Sequence, residues 1–277
     1  MSLGAQLASA IGEGSFGGRL WLYSNYHCNL ACTYCLTESS PSVPKRALGR
    51  EKMVSLARQA AGLGFKGIGI TGGEPFLLPY LVDAVEEISG VLPVTLLTNG
   101  TLFNAARLQE VARLGGRDVR MQISLDRPEP SANDAMRGPG NFAKVLDAVP
   151  RLLALGIHVR IATTVEDQTP EEGSRLADLV RSLGVPEEDH VVRKIVRRGR
   201  ADLEDLGVSA PLDRLSPELT VTVDGAFWSP FAPTFRDGRL QKDLLVSRVT
   251  DPLSEPVRAI LEVLGSVDMA EDAEGFV

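Results

Sequence analysis

Apolar, mostly β-branched runs alternate along the chain with longer runs of helical period between residues 19 and 198. The apolar runs predict six strands, at residues 19–23, 67–71, 94–98, 120–125, 158–164 and 190–196. The amphipathic runs predict five helices, at residues 51–62, 79–89, 105–114, 142–155 and 171–183. Strands that alternate with helices are typical of a parallel sheet covered by its connecting helices. We therefore expect an α/β fold.

The pattern changes after Arg200. A polar, proline-containing stretch leads to two strand-like segments joined by a hairpin turn, at residues 219–223 and 226–228. An amphipathic helix is predicted at 255–264, followed by a frayed acidic tail at 268–277. The chain is thus expected to have three parts, an N-terminal extension at 1–18, a main domain at 19–200 and a small C-terminal annex at 201–277.

The composition argues against two classes of partner. The formal net charge is −7 and the pI is near 5.2, so the chain lacks the excess of Lys and Arg that attracts the phosphates of nucleic acid. Charged or proline residues interrupt the apolar runs well short of the roughly 20 residues that a membrane span needs. The first 18 residues have no basic segment ahead of an apolar block, which disfavours a secretion signal. We expect a cytoplasmic protein that binds neither nucleic acid nor a membrane.

The three cysteines of the chain, Cys28, Cys32 and Cys35, form a C-x₃-C-x₂-C run directly after the first predicted strand. Cysteines confined to one short window do not suggest a disulfide framework. Three thiolates on one loop can bind three irons of a cubane cluster and leave the fourth iron open. A zinc site and ordinary buried cysteines are the alternatives. Zinc is disfavoured because a structural site needs four ligands, and His27 adjoins Cys28 too closely to serve easily as the fourth.

Polar residues also follow two of the other predicted strands. Gly72 and Gly73 follow the second strand and leave backbone groups open to a ligand, while Glu74 adds a carboxylate. Ser124 and Asp126 lie on one face at the end of the fourth strand, where a hydroxyl and a carboxylate can bind a sugar diol. Each set has an ordinary alternative as a turn or a cap. A binding role is favoured because barrel-like folds gather their active-site groups at this end of the strands.

Five segments occur in an order and spacing that resemble the radical S-adenosylmethionine (SAM) superfamily. They are the cysteine run, Gly72-Gly73-Glu74-Pro75, Thr98-Asn99-Gly100, Ser124-Leu125-Asp126 and the stretch from Arg137 to Phe142. The resemblance covers about residues 19–200 and points to the branch whose members carry a C-terminal SPASM or twitch extension. It implies a partial (β/α)6 TIM-like barrel with a small twitch-like C-terminal annex.

The resemblance also implies cofactors and a reaction. Cys28, Cys32 and Cys35 are expected to hold one oxygen-sensitive [4Fe–4S] cluster, and SAM is expected to chelate its open iron. An electron from a flavodoxin or ferredoxin-type reductant then breaks SAM into methionine and a 5′-deoxyadenosyl radical, which abstracts hydrogen from a substrate.

The SAM-binding residues implied by the resemblance are Tyr34, Gly72, Gly73, Glu74, Asn99, Ser124, Asp126 and Arg137. The two glycines and the Glu are expected at the methionyl amine, and the Arg at the carboxylate. The Ser and the Asp are expected at the ribose. The Tyr, between the last two cysteines, matches an aromatic position near the adenine, and the Asn is a further member of the shell.

Two other groups of residues allow both a functional and a structural interpretation. A basic cluster near the end of the sixth strand is either a solvated turn or a site for SAM or an anionic substrate group, and comprises Arg193, Lys194, Arg197, Arg198 and Arg200. Aromatic residues of the annex either line a substrate pocket or form the annex core, and are Phe227, Trp228, Phe231 and Phe235.

The chain departs from the implied branch in its cysteines. None follows Cys35, and the annex hairpin has Ser229, Pro230 and Phe231 where a cysteine is expected. An auxiliary cluster with thiolate ligation is therefore not expected. A radical epimerisation quenched by a cysteine is disfavoured for the same reason. Rearrangement, elimination, addition and oxidation by an external acceptor stay open.

The 18 residues before the first strand are too few for the winged-helix domain with which many peptide maturases of the branch bind a leader peptide. We therefore expect a small-molecule substrate, for which the basic cluster makes an anionic group one option. A peptide presented by a separate recognition protein is the alternative among enzymes. A non-enzymatic Fe–S carrier is the alternative outside enzymes, and the SAM-binding residues disfavour it.

Overall fold

The computed structural model describes residues 1–209 and 215–274, and a nine-stranded sheet forms its centre. Six strands make up the main part of the sheet: β1 (Arg19–Tyr23), β2 (Gly67–Thr71), β3 (Val94–Thr98), β4 (Val119–Ser124), β5 (His158–Val165) and β6 (His190–Lys194). They run parallel, and each pairs with the next in chain order. This layout is that of a partial TIM-like barrel, and the predicted α/β fold class is confirmed.

Helices connect the six strands in turn, and further helices precede β1 and follow β6. They are α1 (Leu3–Glu13), α2 (Arg50–Leu63), α3 (Leu81–Ser89), α4 (Ala105–Val111), α5 (Pro130–Arg137), α6 (Asn141–Ala154), α7 (Pro170–Ser182), α8 (Arg200–Leu203) and α9 (Ser254–Glu274). Local sequence explains several ends. Thr169 and Glu172 form a reciprocal capping box at the start of α7, and Gly64 ends α2 with a φ of 100°.

The two faces of the sheet have different chemistry. On the outer face Leu20, Leu22 and Ile70 have no solvent exposure and belong to the core beneath the helices. On the inner face Trp21 lies opposite Gly69, where an added Cβ would be only 2.3 Å from the indole ring. The missing side chain at this position makes room for the indole inside the barrel. The hydrophobic core therefore lies between the outer face of the curved sheet and the helices. The inner face of the sheet can line a site.

Three strands extend the sheet beyond β1. The strand β7 (Thr220–Thr222) pairs with β1 in parallel, β8 (Gly225–Phe227) pairs with β7 as an antiparallel hairpin, and β11 (Leu245–Ser247) pairs with β8. A separate two-stranded ribbon consists of β9 (Phe235–Arg236) and β10 (Arg239–Leu240). The hairpin predicted in the annex therefore forms, and it continues the barrel sheet.

Most predicted strands match the structure closely, because each carries a full run of apolar residues. β1, β2 and β3 have the predicted bounds, and β4 starts and ends one residue earlier. The predicted extension of β6 to Val196 is wrong. Beyond Lys194 the chain leaves the ladder and forms an isolated bridge between Val196 and Val208.

Three helices were not predicted. α1 buries Leu7 and packs against α9, with Ser2 as its N-cap. α5 lacks an apolar stripe, and tertiary contacts hold it: it buries the polar residues Asn133 and Arg137. α8 is only four residues long. A helix whose buried face is polar gives no hydrophobic periodicity to detect.

The C-terminal helix is longer than predicted. The structure has α9 at Ser254–Glu274, so most of the tail predicted to be frayed is helical, and the prediction of a helix ending at residue 264 is wrong. Residues 275–277 of the predicted tail and 210–214 of the polar stretch lie outside the described residues. Within the described part of the chain, no helix has the combined length and apolarity needed to cross a membrane.

Candidate active site

The cysteine loop leaves the C-terminal end of β1 and is held by backbone hydrogen bonds. The Cys28 N–H donates to the carbonyl of Ser40 at 3.2 Å, and the Cys35 N–H donates to the carbonyl of Cys32 at 3.3 Å. Thr33 is tied to the end of α5 through its N–H and the carbonyl of Met136 at 3.0 Å. These bonds turn all three cysteines toward one cavity of about 240 Å³ at the C-terminal ends of the strands.

The thiols of this loop are desolvated. Burial raises the pKa of the Cys28 thiol to about 12. Burial also raises the pKa of the Cys32 thiol, and the nearby cations Arg137 and Arg200 partly oppose this increase. Without metal Cys28 and Cys32 are therefore protonated, and binding of iron releases their protons. Among the described residues no three His, Cys, Asp or Glu side chains are placed around one common ion position. Three cysteines that each bind a different iron of a cluster do not need such a position, so the loop fits a cluster.

Gly72 and Gly73 line the same cavity and pack directly against the start of the cysteine loop. An added Cβ at Gly72 would lie 2.4 Å from the Asn25 side-chain oxygen, and one at Gly73 would lie 2.2 Å from the His27 carbonyl oxygen. The Gly73 N–H also donates to the carbonyl of Asn25 at 2.8 Å. Glycine is required here because the loops after β1 and β2 touch backbone to backbone.

The carboxylate of Glu74 is fully buried and does not line the cavity. Its Oε1 accepts hydrogen bonds from the Phe76 N–H at 3.0 Å and the Thr98 hydroxyl at 2.8 Å, and its Oε2 accepts one from the Asn99 N–H at 2.8 Å. Burial raises the pKa of Glu74, against the effect of these three donors. Glu74 therefore ties the end of β2 to the end of β3, next to the cavity.

Asn99 lines the cavity, and its side chain reaches the cysteine loop. Its Nδ2 donates to Asn29 Oδ1 at 2.9 Å and lies 3.7 Å from Cys28 Sγ. Its Oδ1 accepts from the Thr101 N–H at 3.0 Å and the Thr101 hydroxyl at 2.7 Å. The structure thus places Asn99 beside a cysteine that is expected to bind the cluster.

Ser124 lines the cavity, whereas Asp126 lies behind its wall with no solvent exposure. Asp126 Oδ2 pairs with Arg137 Nη1 at 3.0 Å and accepts the hydroxyl of Tyr34, and its Oδ1 accepts the Thr164 N–H at 2.8 Å. The sequence-predicted neighbours Ser124 and Asp126 therefore occupy different positions, one at the cavity surface and one beneath it.

Arg137 and Tyr34 both line the cavity, and both contact Asp126. Arg137 also donates to the Tyr34 hydroxyl. Burial raises the pKa of Tyr34 well above its usual value, so the phenol stays protonated. The Nε of Arg137 is buried and has no hydrogen-bond partner in the described structure. A buried donor without a partner costs roughly 1–3 kcal/mol, so a ligand acceptor at this position would be stabilising.

The basic cluster predicted near the end of β6 divides into two groups. Arg193 and Lys194 line the cavity and have no ion-pair partner among the described residues. The others have structural partners: Arg197 pairs with Asp205, and Arg198 pairs with Asp243. Only the first two are thus placed to meet a ligand.

Arg200 acts on the cysteine loop, a role that the sequence did not reveal. Its side chain donates to the carbonyls of Cys32 and Ser39, and its backbone N–H donates to the carbonyl of Cys35 at 2.9 Å. The preceding Gly199 has a φ of 59°, and an added Cβ would lie 2.0 Å from the Leu36 carbonyl oxygen. The sequence feature that could have predicted this contact is the Gly199-Arg200 pair, which follows the sixth strand.

The aromatic residues of the annex are mostly structural. Phe231 lines the cavity, whereas Phe227 is fully buried in the core and Phe235 packs on Tyr26 with ring centroids 4.9 Å apart. Trp228 donates its indole N–H to the Leu215 carbonyl at 2.9 Å. Tyr23, Gln122 and Thr164 are among the cavity-lining strand residues that were not predicted from the sequence. For Gln122 the available signal was a polar residue between two apolar ones, Met121 and Ile123.

Comparisons with known proteins identify the family of the chain. The family model for the radical SAM superfamily matches residues 22–180. The chain is 35% identical to the GTP 3',8-cyclase of Syntrophomonas wolfei over 136 residues, which are 47% of this chain and 41% of that protein. It is 33% identical over 164 residues to the subtilosin biosynthesis protein AlbA of Bacillus subtilis, covering 57% of this chain and 36% of AlbA. The matched parts thus span about two fifths of these relatives.

A solved structure shows the same fold over most of the chain. Native anSMEcpe with bound AdoMet (SAM) superposes with a TM-score of 0.65 at 14% identity, covering 88% of this chain and 82% of that one. At this identity the likeness establishes the fold alone.

Proposed function

Since the chain belongs to the radical SAM superfamily, we propose that its cavity holds a [4Fe–4S] cluster on Cys28, Cys32 and Cys35 with SAM beside it. The cluster, when bound, supplies an electron that cleaves SAM reductively, and the resulting 5′-deoxyadenosyl radical abstracts a hydrogen atom from the substrate. The observation that carries this proposal is a single cavity lined by all three thiols and by Gly72 and Arg137. The relatives are named as enzymes, which favours catalysis over a carrier of Fe–S clusters.

The residues around the cavity bind and orient SAM in this proposal. Arg137 presents its unpartnered Nε to the carboxylate of SAM, because a charged acceptor satisfies a buried guanidinium best. The backbone at Gly72 and Gly73, which lines the cavity, meets the methionyl amine next to the buried carboxyl group of Glu74. These contacts place the amino acid end of SAM near the cysteine loop.

The other end of SAM lies against β4 in the same proposal. Ser124 donates to the ribose from the cavity surface, and Tyr34 presents its ring to the adenine. Asp126 lies behind this wall and fixes Tyr34 and Arg137 through its two hydrogen bonds to them. Asn99 completes the shell from the end of β3. Asp126 thus acts on SAM through the residues that it orients.

We propose a small-molecule substrate with an anionic group. Arg193 and Lys194 line the cavity from β6, and neither pairs with a carboxylate among the described residues. Unpaired cations beside a binding cavity favour a carboxylate or phosphate. A peptide substrate is the second candidate, and the similarity to AlbA favours it. A flavodoxin or ferredoxin-type protein is the proposed electron donor in either case.

The proposed reaction is redox-neutral for the substrate. All three cysteines of the chain are committed to one cluster, so no thiol remains to ligate a second cluster or to donate hydrogen to a substrate radical. Rearrangement, addition or elimination therefore fits this chain better than oxidation by two electrons. The resulting radical is then quenched either by hydrogen returned from 5′-deoxyadenosine, which regenerates SAM, or by an electron and a proton from the proposed external reductant and solvent. A product two electrons more oxidised than the substrate, formed without an added acceptor, contradicts this step.

Anaerobic reconstitution tests the proposal. The wild-type protein is expected to bind about four irons and four sulfides per chain, and to form 5′-deoxyadenosine from SAM when dithionite is added. Cys32→Ala is expected to lose both the bound cluster and the formation of 5′-deoxyadenosine. Arg137→Lys is the matched variant for SAM: it is expected to keep the iron and to bind SAM more weakly in calorimetry, because lysine lacks the planar fork. Tightly held zinc without iron, or no 5′-deoxyadenosine from a fully loaded protein, contradicts the proposal.

A further inference from the structure

A closed ring of hydrogen bonds holds the side chain of Asn99. Asn99 Nδ2 donates to Asn29 Oδ1 at 2.9 Å, Asn29 Nδ2 donates to Thr101 Oγ1 at 2.8 Å, and Thr101 Oγ1 donates to Asn99 Oδ1 at 2.7 Å. Each of the three side chains is therefore a donor and an acceptor in one cycle. Such a cycle fixes the orientation of every member.

The orientation of the Asn99 amide is independently determined by the backbone. The Thr101 N–H donates to Asn99 Oδ1 at 3.0 Å, and a backbone N–H can only donate, so the atom facing it is the oxygen. The amide nitrogen must then face the cysteine loop. There it lies 3.7 Å from Cys28 Sγ, and both residues are only 6% exposed.

The three cysteine sulfurs differ in their hydrogen-bond environments. Cys28 Sγ has two N–H donors, the side chain of Asn99 and the backbone of Leu30 at 3.4 Å. Cys32 Sγ lies 3.6 Å from the Arg137 carbonyl oxygen, which cannot donate to a thiolate. Cys35 Sγ has the Thr37 hydroxyl at 3.7 Å. Amide donors are thus concentrated on the first cysteine.

We propose that Asn99 raises the reduction potential of the cluster by donating its amide N–H to the sulfur of Cys28, with Asn29 and Thr101 holding it in place. The inference rests on the proposed cluster. Reduction adds negative charge to the cluster and its thiolates, and a fixed N–H donor stabilises that charge. The effect is large here because the site is buried and little water competes with the amide. In this role Asn99 acts through the Cys28 sulfur on the reduction potential of the cluster, in addition to its proposed place beside SAM.

The test is a potentiometric titration of the anaerobically reconstituted protein, followed by electron paramagnetic resonance of the reduced cluster. It is done without SAM, so that no contact between Asn99 and SAM contributes. Asn99→Leu removes the donor and keeps an apolar side chain of similar branching that excludes water. We expect about tenfold less reduced cluster at a fixed potential, which is a downward shift of about 59 mV for one electron.

Two further variants sharpen this measurement. Thr101→Val removes the hydroxyl from the ring and leaves Asn99 itself, so a smaller shift in the same direction is expected. Asn104→Ser changes an asparagine of the same loop that caps α4, and serine retains the cap, so no shift is expected. If Asn99→Leu does not bind the cluster, the reduction potential of the cluster in Thr101→Val decides whether the inference holds.

A wild-type potential in loaded Asn99→Leu, or in Thr101→Val when the first variant does not load, overturns the inference. An equal shift in Asn104→Ser also overturns it, because the effect is then not specific to the ring. The proposed function fails by a different result, namely a wild-type protein that binds no iron. Failure of the tuning role alone leaves wild-type iron content and 5′-deoxyadenosine formation intact.

Discussion

Replacement of Asp126 by Ala tests the most buried ionic contact of the site. The side chain of Asp126 has no exposure and that of Arg137 is 6% exposed, with Oδ2 and Nη1 3.0 Å apart. The substitution removes this pair and also leaves the Tyr34 hydroxyl and the Thr164 N–H without their acceptor. Arg137 then stays in the interior as an uncompensated charge.

The structure indicates the size of the effect. Removal of one partner from a buried ion pair destabilises a protein by about 3–5 kcal/mol, because the remaining charge stays desolvated. The two orphaned donors act in the same direction, although such costs are not additive. We therefore expect Asp126→Ala to lower the free energy of unfolding by about 3–5 kcal/mol. Because Arg137 and Tyr34 lose their anchor, the affinity for SAM is expected to fall at least about tenfold, or 1.4 kcal/mol.

The chain offers a matched control. Asp147 and Arg151 form an ion pair of 2.7 Å on the surface of α6, with side chains 62% and 42% exposed. Asp147→Ala is expected to change stability by less than about 1 kcal/mol, since water screens an exposed pair. Guanidinium chloride unfolding measures both variants, and calorimetry with the reconstituted proteins measures SAM binding.

Equal stability losses in Asp126→Ala and Asp147→Ala would refute the argument from burial. A loaded Asp126→Ala protein that binds SAM like the wild type would refute the role of Asp126 in orienting the SAM shell. The expected result is therefore specific in two respects: a large loss of stability at the buried pair only, and a cluster that is retained while SAM binding weakens.

Three further predictions concern other parts of the molecule. Gly73→Ala is expected to abolish cluster loading, measured as iron per chain, because its Cβ would lie 2.2 Å from a backbone oxygen, whereas Gly62→Ala in open space on α2 is expected to load normally. Burial lowers the pKa of His190 in the folded protein, so the unfolded chain binds this proton more readily. The free energy of unfolding is therefore expected to decrease as the pH falls below about 6.5, the usual pKa of histidine. His190→Gln should reduce that loss in unfolding experiments at pH 7.5 and 5.5, and an unchanged loss contradicts the assignment. Arg193→Gln is expected to weaken binding of an anionic substrate about tenfold, because charge-assisted hydrogen bonds contribute roughly 1.5–3 kcal/mol. Arg197 does not line the cavity, so Arg197→Gln is expected to leave substrate binding unchanged.

The hydrophobic pattern was sufficient to predict the barrel strands but not every helix. β1 to β3 are short, mostly apolar runs flanked by glycine, proline or polar residues, and such runs have clear ends. The polar helix α5 was missed because its position depends on Asn133, whose side chain accepts the Asp126 N–H at 3.0 Å. That contact joins a strand end to a helix in three dimensions, and no local pattern reports it.

Sequence motifs located the site but not the contacts within it. The three cysteines and the glycine pair were predicted to lie together, and the structure brings them to one cavity. Glu74 and Asp126 were recognised as carboxylates near the strand ends, yet both lie behind the cavity wall. Their positions depend on which backbone donors reach them, and one of those, Thr164, follows Asp126 by 38 residues.

The cysteine loop illustrates why a short motif does not determine its own geometry. Arg200, at the exit of β6, donates to the carbonyls of Cys32 and Ser39, 168 and 161 residues earlier in the chain. Gly199 can approach Leu36 closely only because it lacks a Cβ. The loop that begins after the first strand is therefore completed by residues that follow the sixth. The curved sheet brings the segment after β6 to the loop after β1, and this contact helps to hold the three thiols at one cavity.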